Sequence, residues 1–185
     1  MPWIKVIDEN EATGKLKEVY AEIRRGRGKV ANIMKIHSLH PHTMEKHLQL
    51  YQAIMFGSSG LTREERELIA VVVSTINGCE YCIKHHSEAL YYYWRDRRKI
   101  QRLIKDFHSV DLSERLQRLL MYAVKLTKTP NAVNKADVEL LRETGFSDKD
   151  ILTINLVVSY FNFVNRIALG LGVEWTSDEV TGYRY

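Results

Sequence analysis

Cysteine is almost missing from this chain: there are two in 185 residues, Cys79 and Cys82. So few thiols cannot form the disulfide framework of a secreted domain. The start, Met1-Pro2-Trp3-Ile4-Lys5-Val6-Ile7-Asp8-Glu9, reaches acidic residues too early for a signal peptide, so a reducing cytoplasm is expected. Proline is scarce at three residues and glycine at ten, which leaves room for long helices. Period-two alternation is absent, so strands are not expected. The longest apolar run, near Leu68 to Ile76, falls well short of the roughly 20 residues of a membrane span. Charge of one sign is also lacking: 27 Lys and Arg face 23 Asp and Glu, for a net +4. The basic residues gather in two clusters, Arg24, Arg25, Arg27, Lys29 and then Arg95, Arg97, Arg98, Lys99, Arg102, Lys105. Each follows a predicted helix, where cations suit the C-terminal dipole. With no helix-turn-helix signature and no interleaved aromatics, they read as solvated faces, and neither nucleic acid nor membrane is an expected partner.

What is present is helical periodicity almost throughout, at 45% hydrophobic and 27% charged residues, as in an ordinary folded domain. The fold class is all-α, one domain over residues 1–185. It divides into a helical extension at about 1–40, a core at about 41–127 and a C-terminal helical hairpin at about 128–172. Thr13 is placed to cap a first helix through Arg24. Further helices are predicted from Val30 to Ile36, His42 to Met55, Thr62 to Ile76 and Cys79 to about Arg98. Ser113 caps another that runs until Pro130, Lys135 to Glu143 is short, and Ser147 with Asp150 opens an apolar helix to Gly170. Leu61 to Asn77 is echoed at a constant offset of 85 by Phe146 to Asn162, suggesting two related hairpins of which one carries chemistry.

That chemistry lies in Cys79-Glu80-Tyr81-Cys82 and His86, just after the Asn77-Gly78 break. Two thiols three residues apart can close a disulfide within one helical turn, and His86 lies one turn beyond Cys82 on the same face. If the helices on either side of Asn77-Gly78 pair antiparallel, Glu67 and His86 stand at the same height. The first helical turn favours thiolate, His86 can take the proton of Cys82, and Glu67 can orient His86. A zinc site needs two more ligands, which the adjacent His85 and His86 cannot both supply, so neither a metal nor another cofactor is expected. His85 reads as solvated or structural. His37, His40, His42 and His47 are irregularly spaced across Pro41 and read as capping or surface residues. Tyr91-Tyr92-Tyr93-Trp94 reads as core or subunit contact, with one ring available to the thiol pocket.

Glu67, eleven intervening residues, then Cys79-x-x-Cys82-x-x-x-His86 resembles the active-site pattern of the alkylhydroperoxidase D (AhpD) family, in the carboxymuconolactone decarboxylase superfamily. The flanking Leu61-Thr62-Arg63-Glu64-Glu65-Arg66 and Asn77-Gly78 look similar too. The Trp3-Ile4 start and Asn165-Arg166-Ile167-Ala168 are most like its uncharacterised peroxidase-related branch. The resemblance implies antiparallel helix pairs with the CxxC at the N-terminus of a central helix. It implies a hydroperoxide substrate, with Cys82 attacking to become a sulfenic acid and Cys79 resolving it to a redox-active disulfide. It also implies a dithiol reductant, in AhpD a lipoylated protein, and assembly as a trimer or hexamer. Decarboxylase members lack the cysteine pair, so that activity is not implied. Tyr81 departs from the pattern, standing where AhpD has a histidine of the proton relay. The expected function is a thiol-dependent hydroperoxide reductase. The alternatives are a dithiol–disulfide oxidoreductase acting on lipoyl or protein disulfides, a non-enzymatic redox sensor, and a structural zinc module.

Overall fold

The computed structural model describes residues 2–183. Ten α-helices follow one another, with no strand among the described residues. They are α1 (Gly14–Arg27), α2 (Asn32–Lys35), α3 (Pro41–Phe56), α4 (Arg63–Ile76) and α5 (Glu80–Trp94), then α6 (Arg97–Lys105), α7 (Glu114–Lys128), α8 (Lys135–Glu143), α9 (Asp148–Gly170) and α10 (Ser177–Val180).

α4 is the central element, packing on α5, α7 and α9. Nine consecutive residues, Arg66 to Ser74, are buried, which is why this helix is apolar around most of its circumference. Its start is a capping box, in which Thr62 accepts from the Glu65 N–H and Glu65 accepts from the Thr62 N–H. α9 opens the same way on Ser147 and Asp150, and Asp150 also accepts from Gly60 N–H at 2.6 Å, tying the loop before α4 to the start of α9. By length and composition α9 is apolar enough to cross a membrane, although its sequence is broken by polar residues; half of it is buried inside the protein. Ten of its residues pack into the core, and that accounts for its hydropathy.

Asn77 and Gly78 reverse the chain between α4 and α5, with Gly78 at φ +67°, a left-handed conformation that a side chain would strain. The reversal makes α4 and α5 neighbours and puts Cys79 at the N-cap of α5, with the Cys79 N–H donating to Ser74 O.

Several sequence expectations need correction. Thr13 occupies the N-cap of α1, but its side chain makes no capping bond. α5 stops at Trp94 rather than near Arg98, because Arg95 turns left-handed at φ +52° and Asp96 caps a new helix through Lys99 N–H. Arg97, Arg98 and Lys99 therefore open α6 instead of ending α5; Ile100 and Leu103 bury its inner face. α10 was not anticipated, being only four residues long.

Candidate functional site

α4 and α5 together hold the four expected residues. Glu67 is fully buried, not a surface charge, because its turn of α4 faces α5 and the core. His86, one turn beyond Cys82, donates from Nδ1 to Glu67 Oε2 at 2.6 Å. The carboxylate thus fixes the imidazole tautomer and leaves Nε2 for other work. Phe161 of α9 packs edge-on against the His86 ring, with centroids 4.5 Å apart. Arg63 supplies the second partner of Glu67, donating Nε to Oε1 at 2.7 Å. Burial pushes the Glu67 carboxyl up, but His86 and Arg63 outweigh it and hold its pKa below the ordinary carboxylate value.

The two sulfurs lie 2.9 Å apart as free thiols, both buried. At that distance one thiol hydrogen-bonds the other. Hydrogen bonding from Cys82, including its backbone N–H, lowers the Cys79 pKa against burial. Cys82 is raised by the same thiol–thiol bond, by burial and by the Cys79 charge, against a hydrogen bond from Asn165. The first negative charge of the pair therefore rests on Cys79, at the helix N-terminus, and Cys82 holds the remaining proton.

The two residues border different spaces. Cys82 lines an internal cavity of about 60 Å³ together with Glu67, His85 and His86. Cys79 lines a separate groove of about 500 Å³ with Trp3, Gly78, Ala168 and Trp175. None of Tyr91 to Trp94 reaches the cavity; its aromatic walls are Tyr51, Tyr81, Tyr160, Phe161 and Tyr183.

Three further residues gain contacts that the sequence does not reveal. Asn165 is fully buried; its Nδ2 donates to Ser74 Oγ at 3.1 Å and its Oδ1 accepts from Asn77. His85 takes the structural rather than the solvated role: Nε2–H donates to Glu179, a residue of α10. Burial nevertheless lowers the His85 pKa, with Glu179 opposing the shift. Tyr81 meets the same carboxylate, donating to Glu179 Oε1 at 2.9 Å while accepting from Ile33 N–H at 3.1 Å. Tyr81 thus joins α5 to α2 and α10.

His37 and His47 are not surface residues either. His47 is 5% exposed, packed between α3 and α9. Tyr160 O–H donates to His47 Nε2 at 2.8 Å, His47 Nδ1–H to His37 Nε2 at 3.3 Å, and His37 Nδ1–H to Ile33 O at 3.0 Å. Every member of this chain is satisfied with both imidazoles neutral. Among the described residues, no cluster of three or more His, Cys, Asp or Glu is arranged to hold a metal ion.

Comparison with known proteins identifies the all-α fold. Residues 41–106 match the carboxymuconolactone decarboxylase family. An AhpD-core, uncharacterized peroxidase-related protein from Ralstonia eutropha JMP134 superimposes with TM-score 0.87 at 27% identity, over 97% of this chain and 94% of that one. An uncharacterized peroxidase-related protein from Silicibacter sp. TM1040 does so with TM-score 0.84 at 28% identity, over 99% and 93%. The debrominase Bmp8, in a cysteine-to-alanine variant complexed with 2,3,4-tribromopyrrole, shares the fold with TM-score 0.79 at 18% identity, over 96% and 97%. No curated protein matches the sequence. The chain thus has an AhpD-like fold, and its residues 41–106 form a carboxymuconolactone decarboxylase family domain.

Proposed function

We propose that this protein is a thiol-dependent hydroperoxide reductase using Cys82, Cys79, His86 and Glu67. The observation that carries the reading is the ion pair of half-buried His86 with fully buried Glu67 on the wall of the cavity that Cys82 lines, with Cys79 Sγ 2.9 Å from Cys82 Sγ. His86 accepts one proton from the thiol pair through Nε2. Moving the remaining proton to Cys79 makes Cys82 the thiolate bordering the cavity. Its sulfur attacks the terminal peroxide oxygen and the O–O bond breaks. The departing alkoxide takes the proton held by His86, leaving an alcohol and a Cys82 sulfenic acid. Cys79 then attacks the Cys82 sulfur, forming the disulfide; the expelled hydroxide leaves as water with the Cys79 proton. An external dithiol restores both thiols by two exchange steps.

Cys82→Ser should abolish peroxide consumption. Cys79→Ser should stop after one turnover with a sulfenic acid at Cys82, trapped by dimedone and located by mass spectrometry. Peroxide consumption that persists in Cys82→Ser rules the reading out. Comparing lipoamide, thioredoxin and glutathione systems identifies the reductant.

A second reading is favoured by the separate groove at Cys79. A dithiol–disulfide oxidoreductase exchanging with a lipoyl or protein disulfide would use that face. It would be oxidised by disulfides and not by peroxide.

A further inference from the structure

We infer that the cavity beside Cys82 is a binding site for a small organic carboxylate, with the Arg27 guanidinium as its counter-ion. Taken with the peroxidase reading, on which this second half rests, the hydroperoxide it takes carries that carboxylate.

Two arginines line the cavity, and they differ in what they have left to offer. Arg63 is fully engaged. It donates to Glu67, to Tyr51 Oη at 3.0 Å and to Met55 O at 3.3 Å, and it stacks on Phe56 at 3.9 Å. Arg27, the last residue of α1, makes no ion pair among the described residues. Its guanidinium instead lies 4.8 Å from the Tyr51 ring centroid and 5.2 Å from that of Tyr183. Arg24, one turn earlier on the exposed side, does have a carboxylate partner in Glu9.

Nor can a carboxylate among the described residues be lent to Arg27. Glu67 is held by Arg63 and His86, and Glu179 by His85, Tyr81 and Asn32 N–H. An arginine withdrawn from water is rarely left without a counter-charge, because its desolvation is then uncompensated. Burial works against the Arg27 charge and the Tyr51 oxygen offsets it, so the side chain stays cationic. The fold therefore presents a held cation, fixed between two rings, to a space that also receives Cys82.

The ligand's chemistry follows from the walls. A guanidinium fork matches a carboxylate in a bidentate pair. A single arginine balances one negative charge, which favours a monoanion over a phosphate dianion. Ile23, Ala31, Ile33, Met34 and Leu48 give the wall an apolar side against which the ligand's carbon chain can pack.

Alkylation of the reduced wild-type protein tests the site without any peroxide. Iodoacetate carries the carboxylate and iodoacetamide is its neutral counterpart. At Cys82, read by mass spectrometry, iodoacetate should react about tenfold faster or more and should saturate. Butyrate should compete with it, and 1-butanol should not. Arg27→Gln should abolish both the preference and the protection; Arg27→Lys, which keeps the charge but not the fork, should retain part of each. Absence of preference or saturation, or protection equal in wild type and Arg27→Gln, overturns the site. If Arg27→Gln does not fold, the wild-type rates and the Lys variant still decide it.

Turnover tests the second half. Monoperoxysuccinate should exceed perpropionic acid in kcat/KM by about tenfold, a ratio that collapses in Arg27→Gln. Equal kcat/KM for the two peroxides overturns the substrate assignment. Selective alkylation with no turnover of either peroxide leaves the carboxylate site standing and removes the peroxidase reading. Turnover without selective alkylation does the reverse.

Discussion

Acidification probes the histidine chain behind Tyr160, and its size can be worked from the structure. Burial holds the His47 pKa at about 4, against an ordinary value of 6.5, with the neighbouring His37 adding to the shift. Between those values the unfolded chain takes up a proton that the folded chain refuses. His47 thus contributes stability that is full above pH 6.5 and is lost as the pH falls toward 4. The limiting slope is about 1.4 kcal/mol per pH unit, and the loss accumulated by pH 4 is about 3 kcal/mol. That is a substantial fraction of the roughly 5–15 kcal/mol that holds a domain folded.

The assay is urea unfolding at fixed pH values from 7 down to 4, on wild type and on His47→Gln. Glutamine does not titrate, yet it can accept from Tyr160 and donate to His37. The wild type should lose about 3 kcal/mol more than the variant over that range. His85, whose pKa burial also lowers, remains in both proteins and cancels in the difference. So do Glu67 and Glu179, whose lowered pKa values withdraw stability only at the acid end. Parallel stability curves for the two proteins would refute a neutral, buried His47.

Other consequences can be checked together. His86→Gln and Glu67→Gln should each lower peroxide turnover by about 10²-fold or more, since each removes a member of the proton path; single-turnover oxidation of Cys82 measures it. Tyr81→Phe leaves Ile33 N–H without its partner and Glu179 one donor short, so urea unfolding should show a loss of about 1–3 kcal/mol. Asn165→Leu removes the hydrogen bond that favours ionised Cys82, and the pH profile of Cys82 alkylation should move to higher pH. Leu152, Leu156 and Phe163 form an exposed apolar stripe on α9, at 59%, 41% and 47% accessibility. If copies of the chain assemble through that stripe, Leu156→Glu should reduce the mass found by sedimentation velocity; an unchanged mass sends the assembly surface elsewhere.

Much of the fold was readable because its signals are local. Capping residues mark the starts of α4, α7 and α9 in the sequence, and the apolar spacing of each helix names its buried face. The Glu67–His86 contact was readable for the same reason: a two-residue reversal leaves the register of two antiparallel helices almost no freedom. What stayed hidden depends on long-range packing. His47 and Tyr160 meet across 113 positions, and His85 and Glu179 across 94, so no spacing rule joins them. α6 was missed for a different reason. The sequence there is helical on both sides of Arg95, and only the left-handed turn of that residue, followed by the Asp96 cap, splits one apparent helix into two.

The echo at offset 85 gains a physical meaning from the structure. Thr62–Glu65 and Ser147–Asp150 close equivalent capping boxes, and the helices they begin lie against each other. Their matching asparagines touch, Asn77 Nδ2 donating to Asn162 Oδ1 at 3.1 Å. From that point the copies diverge. After Asn77 the chain turns at Gly78 and restarts on the thiols, whereas α9 runs on from Asn162 to Gly170 without a break. The unbroken continuation sets Asn165 against Ser74, Asn77 and Cys82 at once. The second copy therefore carries no thiol, yet it is not inert. It supplies the amide that steadies the turn before Cys79 and favours ionisation of Cys82. One hairpin holds the sulfurs, and the helix that echoes its first arm sets part of their electrostatics.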